Sequence, residues 1–286
     1  MKNSVLKSYA KVNLFLKVGK KLRKKKLHNI QSLVFLINLH DKIIVKKIHR
    51  TRDSVKFIGR FQKNINRINN SVNGCLDLLR YRGFIKKKDN YKIVIKKNIP
   101  VFSGLGGGSS NAATIIKYFL KRDKISERTI NYFSNSLGSD LRLFFKSNKV
   151  FQKNLSTVKE FKHKHKFYFL LVYPFLKCST KKIYSKLNKY EFIKNKNYYI
   201  KNSKFELASR IKLEKNSLEK AVISKFPTVK KILKELGSAK NCEFARVTGS
   251  GSVCFGLFLN KRHGTLALRQ IKKKFPKFWC VLCKTI

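Results

Sequence analysis

Residues 99–120 read IPVFSGLGGGSSNAATIIKYFL: a proline-led turn, four glycines within five residues, two serines and then a helix-forming run. A chain built this way places a Gly-rich loop at the mouth of a helix. Without a Cβ, glycine lets the backbone turn sharply and lets a ligand reach the main chain, so Gly104, Gly106, Gly107 and Gly108 expose neighbouring amides. Behind them Ala112, Ile115, Ile116, Phe119 and Leu120 recur at the spacing of one buried helical face, with Asn111, Thr114 and Lys117 on the other. Ser109 or Ser110 is placed to cap this helix. Amides, the positive end of the helix dipole and two hydroxyls together make an anion site, and phosphate is its usual biological occupant. The loop is neither of the best-known phosphate loops. No G-x-x-x-x-G-K-[ST] occurs, and Ser109 stands where G-x-G-x-x-G needs its third glycine. A flexible turn between a strand and a helix is the plainer reading, and the serine pair on an amphipathic helix weighs against it.

With 286 residues, 43% of them hydrophobic, the chain can bury the cores of two modest domains or one large one. Lys and Arg total 67 against 14 Asp and Glu, a net charge of +53 that invites a nucleic-acid reading. The basic residues nevertheless run from Lys2 to Lys284, and the clusters Lys20–Lys26, Lys86–Lys88 and Lys272–Lys274 form no stripe. Lys, Asn and Ile all have A/T-rich codons, so the charge points to genome composition more than to a selected surface. No specific nucleic-acid partner is expected, although such a field attracts polyphosphates and binds nucleic acid non-specifically at low salt.

Six cysteines, mostly in apolar stretches, read as small hydrophobes. Cys280 and Cys283 form a CxxC, but KFWCVLCKTI reads as a terminal strand without a second pair or His cluster, which argues against metal or redox chemistry. No apolar signal region opens the chain and no run of 18 uncharged apolar residues occurs, so a cytoplasmic location is expected.

In SYAKVNLFLKV, Ser8 to Val18, Ala10, Val12, Leu14, Leu16 and Val18 alternate with Lys11, Asn13, Phe15 and Lys17. That period predicts a strand with Lys11 and Asn13 on one face. Taken alone, the pair reads as solvated polar residues of an edge strand. Further on, Ile130, Phe133 and Leu137 make a helical stripe that Gly138 ends, and Ser139 and Asp140 follow. By itself Asp140 reads as a turn or capping residue. Carboxylates are scarce, however, and this one lies between two apolar elements, where burial can tune a general base. ARVTGSGSVCFGLF, 245–258, is a second Gly/Ser turn, either a hairpin turn or a phosphate or substrate contact.

In this order the segments, with NSLEKAVISKFPTVKKIL at 216–233, resemble the GHMP kinases, named for galactokinase, homoserine kinase, mevalonate kinase and phosphomevalonate kinase. The likeness spans residues 8–258, and three glycines before Ser-Ser-Asn are most typical of the subfamily whose acceptor is a diphosphocytidyl methylerythritol. The resemblance implies an α+β, two-domain GHMP kinase-like architecture with the active site in the inter-domain cleft. An N-terminal ATP-binding and catalytic domain would cover 1–155 and a C-terminal domain 156–286. It implies transfer of the γ-phosphoryl group of ATP, with Mg²⁺, to the acceptor's 2-hydroxyl, a step in non-mevalonate isoprenoid biosynthesis. A kinase for another small alcohol, of homoserine or mevalonate type, is the runner-up. Carried over by position, Pro100, Val101, Phe102, Ser103, Gly104, Leu105, Gly106, Gly107, Gly108, Ser109 and Ser110 hold the ATP phosphates. Asp140 is the catalytic base, Lys11 polarises the reacting hydroxyl, Asn13 contacts substrate, and His28, Thr180 and Tyr184 bind the cytidyl part. Two departures stand out. Where the family has Asp-Gly-Tyr-His this chain has Lys25, Lys26, Leu27 and His28, so the tyrosine that stacks on one face of cytosine is missing and Tyr184 is left on the other. After Asp140, Leu141 and Arg142 replace the favoured Val-Pro.

Overall fold

The computed structural model describes residues 3–22, 27–120, 125–162, 164–193 and 203–286; Lys25 and Lys26 lie outside them. The chain divides into two compact units, one of Met1–Ala10, Leu39–Val101 and Gly106–Lys146, the other of Lys11–Asn38, Phe102–Leu105 and Ser147–Ile286. It changes unit inside each of its two longest strands and twice within the Gly-rich loop.

The first unit takes the start of strand β1 (Ser4–Lys21) and the end of β2 (His28–Ile48). It continues with β3 (Ser54–Ile58), helix α1 (Ser71–Tyr81), β4 (Asn90–Lys96), α2 (Gly107–Leu120), α3 (Glu127–Leu137) and a 3₁₀ turn, Ser139–Phe144. β2 pairs antiparallel with β4, setting Ile43 opposite Ile95 and Val45 opposite Ile93, and β3 joins β4 in parallel. The strand period of two sorts the faces: these isoleucines and the valine are buried, while Lys42, Lys46, Lys92 and Lys96 are exposed. α1 packs on α2 and α3, and Asn70 caps it by accepting from the amides of Val72 and Asn73. α3 stops, as its sequence predicts, at Gly138, whose φ is 117°.

The second unit adds β5 (Lys149–Gln152), β6 (Val158–Glu160), β7 (Tyr168–Tyr173), α4 (Thr180–Tyr184), α5 (Lys204–Lys212), α6 (Glu219–Lys225), α7 (Pro227–Gly237), β8 (Phe244–Val247), β9 (Cys254–Phe258), α8 (Lys261–Lys274) and β10 (Trp279–Lys284). Its antiparallel sheet runs β10-β7-β9-β8. Ile232, Leu236, Ala267 and Ile271 of α7 and α8 share a core with Leu170, Val172, Cys254 and Phe258 of the sheet. Pro227 opens α7 at a position where its missing N–H costs nothing. The second Gly/Ser turn does join a hairpin, β8 to β9, with Val247 opposite Cys254.

Three expectations need correction. β1 is no solvated edge: from Ala10 to Leu16 both faces are covered, and Lys11 and Asn13 are each 3% exposed. α2 begins at Gly107, ahead of the serines, so neither Ser109 nor Ser110 is its cap, and Ser110 is buried. Asn111, expected on an outer face, is 1% exposed, because α2 is covered on more than the apolar stripe. The CxxC does lie on a terminal strand, with Cys280 opposite Val172 and Cys283 opposite Phe169. Three residues apart on a strand, the two thiols point to opposite faces. Among the described residues no helix is long and apolar enough to cross a membrane.

Candidate active site

In the second unit, β1 sets Lys11 and Asn13 two residues apart on one face, and Lys11 Nζ donates to Asn13 Oδ1. Asn13 Nδ2 donates to Ser32 Oγ at 2.8 Å, and that hydroxyl donates to the Phe15 carbonyl at 2.5 Å. This relay fixes the amide with its oxygen toward the ammonium. The Asn13 N–H donates to Thr248 Oγ1 at 2.9 Å. The turn after β8 approaches so closely that a Cβ on Gly249 would stand 3.2 Å from Lys11 Nζ and 3.3 Å from Asn13 Oδ1. Asn216 braces the turn, donating to the carbonyls of Val247 and Gly249, each at 2.8 Å.

Part of the Gly-rich loop is stitched into the same unit. The Leu105 carbonyl accepts from Lys11 N at 3.0 Å, Ser103 O from Val253 N at 3.2 Å and Phe102 O from Cys178 N at 3.2 Å. Gly104 has φ 82°, and a Cβ there would overlap the Thr248 carbonyl oxygen. Phe102, half exposed, takes φ 54°, a left-handed conformation that bulky residues seldom adopt. Segments 11–18, 102–105 and 245–253 therefore converge within the second unit. Ser32 and Asn216 support them; nothing around Ser32 marks it in the sequence, whereas Asn216 opens the stretch 216–233 that carries part of the resemblance.

His28 is buried, with Nδ1 3.1 Å from the Gly19 carbonyl. Opposite a carbonyl, Nδ1 is the donor, and Nε2 is the ring nitrogen left for other partners. Tyr184, at the end of α4, lies 5.6 Å from the His28 ring, centroid to centroid, tilted 38°. On the same imidazole Tyr190 stacks at 5.2 Å and 27°. Leu27 is half exposed. The sequence reading missed Tyr190, since nothing in NKYEFI marks that ring. Thr180 Oγ1 shares a 3.0 Å hydrogen bond with Ser250 Oγ of the Gly/Ser turn.

In the first unit, Gly106 has φ 71° and α2 follows at once. Ser110 N bonds the Gly106 carbonyl at 2.9 Å, so the amides ahead of it in the first turn have no carbonyl of their own helix to bond. Ser110 Oγ turns inward and donates to the Tyr9 carbonyl at 2.7 Å. Asp140 is half-buried in the 3₁₀ turn, followed by buried Leu141 to Phe144. Arg142 donates to Asn131 Oδ1 of α3 at 3.0 Å and ties the turn to that helix. The sequence reading passed over a buried group behind α2, made of Ser8, Asp41 and Lys97.

Chemically, the first unit offers an anion site and a carboxylate, and the second a buried ammonium, an oriented amide and a ring cluster. Among the described residues no group of three or more His, Cys, Asp or Glu could hold a metal ion.

Family models match the chain twice: GHMP kinases N terminal domain over residues 70–140 and GHMP kinases C terminal over 198–277. A Pelagibacter ubique protein named 4-diphosphocytidyl-2-C-methyl-D-erythritol kinase is 38% identical, covering 100% of both chains. A crystal structure of 4-(cytidine 5'-diphospho)-2C-methyl-D-erythritol kinase superposes with a TM-score of 0.73 at 21% identity, covering 98% of this chain and 99% of that one. Homoserine kinase from Cytophaga hutchinsonii reaches 0.72 at 15%, over 100% and 95%. The two solved structures share the fold with this chain almost equally, so the fold alone does not choose an acceptor.

Proposed function

The chain belongs to the GHMP kinases, in the 4-diphosphocytidyl-2-C-methyl-D-erythritol kinase family, and from that membership we propose that it phosphorylates the 2-hydroxyl of 4-diphosphocytidyl-2-C-methyl-D-erythritol with ATP. The observation that carries this acceptor is the 38% identity along the whole chain to a kinase of that name.

Phosphoryl transfer asks a protein mainly for alignment and charge neutralisation. In this reading residues Pro100 to Ser110 hold the ATP phosphates, with the amides of Gly107, Gly108 and Ser109 presented at the open first turn of α2. Asp140 takes the proton of the acceptor hydroxyl as its oxygen bonds the γ-phosphorus and the bond to ADP breaks. Lys11 lowers the energy of the developing alkoxide, and Asn13, held by Ser32, keeps that ammonium in place and contacts the acceptor. His28 Nε2 accepts from the cytosine amino group, with Tyr184 stacking on the base and Thr180 beside it. Mg²⁺ supplies further neutralisation of the phosphates when it arrives with ATP. The assignment of 1–155 to ATP binding and catalysis and of 156–286 to a C-terminal domain is supported by the two family-model matches. A cytoplasmic location belongs to the same proposal.

Asp140→Asn tests the chemistry, because the amide keeps shape but cannot accept the proton. Removing a general base lowers turnover about 10²- to 10⁴-fold. In a coupled ADP-release assay we expect that loss of kcat in a folded variant with the cytidyl acceptor, and no turnover of homoserine or mevalonate by the parent enzyme. Near-parental kcat in Asp140→Asn removes Asp140 from the role, and efficient use of either other alcohol overturns the acceptor.

A further inference from the structure

We propose that the buried Lys97–Asp41 ion pair is a positioning device for the Gly-rich loop, setting nucleotide affinity without touching the nucleotide. It rests on the reading that this loop holds the ATP phosphates. Lys97 is 1% exposed and Asp41 0%. Burying two charges is expensive, and an apolar pair of similar volume often serves stability as well or better. What the apolar pair does not supply is a set of directional ties, and here these converge on one carboxylate.

Asp41 Oδ2 accepts from Lys97 Nζ and, at 3.0 Å, from Asn111 Nδ2. Asp41 Oδ1 accepts the backbone amides of Asn98 at 2.8 Å and Ile99 at 2.9 Å. Asn98 and Ile99 are the residues that enter the loop, and Asn111 lies in the helix that leaves it. Lys97 Nζ adds a 3.0 Å bond to Asn111 Oδ1. From Asn111 the ties run on to Ser8 Oγ at 2.9 Å and from Ser8 to Ser110 Oγ at 2.8 Å. Entry and exit of the loop, both in the first unit, thus hang on the same pair.

The pair also packs directly against the loop. A Cβ on Gly107 would stand 3.3 Å from Lys97 Nζ and 3.1 Å from Ile99 Cγ2. Gly107 therefore lacks a side chain because of what lies behind it, in addition to any ligand in front. With both ends held, the loop is ordered before a nucleotide arrives, and binding does not have to supply that order.

The double variant Lys97→Met/Asp41→Leu removes both charges together, leaving no orphaned ion, and takes away the ties to Asn98, Ile99 and Asn111. We expect a folded protein whose Kd for a non-hydrolysable ATP analogue rises at least tenfold, while the KM of the acceptor stays within twofold. A merely structural role would weaken both substrates together with thermal stability. An unchanged Kd in the folded double variant overturns the proposal. Should that variant fail to fold, Asn111→Ala removes the side-chain ties of α2 to Asp41, Lys97 and Ser8 while leaving those of Asp41 to Asn98 and Ile99, and is expected to weaken the analogue about threefold, again without moving the acceptor KM; no change overturns it equally. Amide hydrogen exchange of the parent enzyme separates the two readings. Without slowing over 103–112 by the analogue, the phosphate loop itself is misassigned; slowing in the parent with full affinity in both variants removes only the role of the ion pair.

Discussion

If cytosine binds beside His28, as proposed, Tyr190 adds a second ring to that site. Leu27 offers no ring, but His28 already carries one: Tyr190 stacks on its imidazole at 5.2 Å, and Tyr184 leans on the same ring at 5.6 Å. An aromatic stacked on a base is worth about 1–3 kcal/mol, and each 1.4 kcal/mol is about tenfold in affinity. Tyr184→Ala and Tyr190→Ala are each expected to raise the KM of the cytidyl acceptor about fivefold or more and to leave the KM of ATP alone. If neither substitution moves the acceptor KM, the base is bound elsewhere. His28 itself could be singled out from sequence by its family setting, whereas Tyr190 could not, since its partner is 162 positions earlier in the chain and no periodicity links them.

At the scale of elements, the turn joining β8 to β9 acts as a wall for the Lys11–Asn13 pair. Gly249 has φ 56°, and its missing side chain is what lets the turn reach Lys11. Alanine there carries about 1–3 kcal/mol of left-handed strain and also pushes on the ammonium and on Asn13. A displacement near 1 Å at a positioned group costs about 10²-fold in rate, so Gly249→Ala should lose one to two orders of magnitude in kcat. Gly83 is the matched control, because its φ is 71° but nothing lies within 4 Å of its Cβ position. Thermal denaturation should show destabilisation in both Gly83→Ala and Gly249→Ala, greater in the second where the Cβ is crowded, with kcat lost only in the second. Equal kcat in the two variants would detach the turn from catalysis. The hairpin is readable in its local chemistry, but its closeness to β1 is not.

Across the whole molecule the cysteines behave as core residues. Burial pushes the thiols of Cys178 and Cys280 up to about 11 and that of Cys242 up to about 12. Cys75 and Cys254 are raised as well, again by burial. Because the thiolate is the reactive form, raised values mean that little of it exists at pH 8. Native protein should therefore react slowly with a thiol reagent at that pH and yield all six cysteines only after denaturation. Fast modification of two or more thiols in the native state, or tight Zn²⁺ binding, would reopen a chemical role for Cys280 and Cys283.

Local chemistry determined much by itself. A Gly-rich loop before a helix, Gly138 ending α3 ahead of Asp140, the β8–β9 turn and the alternation in β1 all follow from backbone freedom and apolar period, which act over a few residues. Tertiary structure alone decided what covers each face. Periodicity puts Lys11 and Asn13 on one side of a strand but does not say that Thr248, 235 positions away, closes over Asn13. It marks Gly104, Gly107 and Gly249 as permissive, but what stands against a side chain is the Thr248 carbonyl at Gly104, Ile99 and Lys97 crowding Gly107, and the Gly104 carbonyl and Lys11 crowding Gly249. The ion pair of Asp41 and Lys97, 56 positions apart, has no local signature at all. Burial and pairing are set by segments meeting in space, and a one-dimensional pattern reports which face turns inward without naming what it meets.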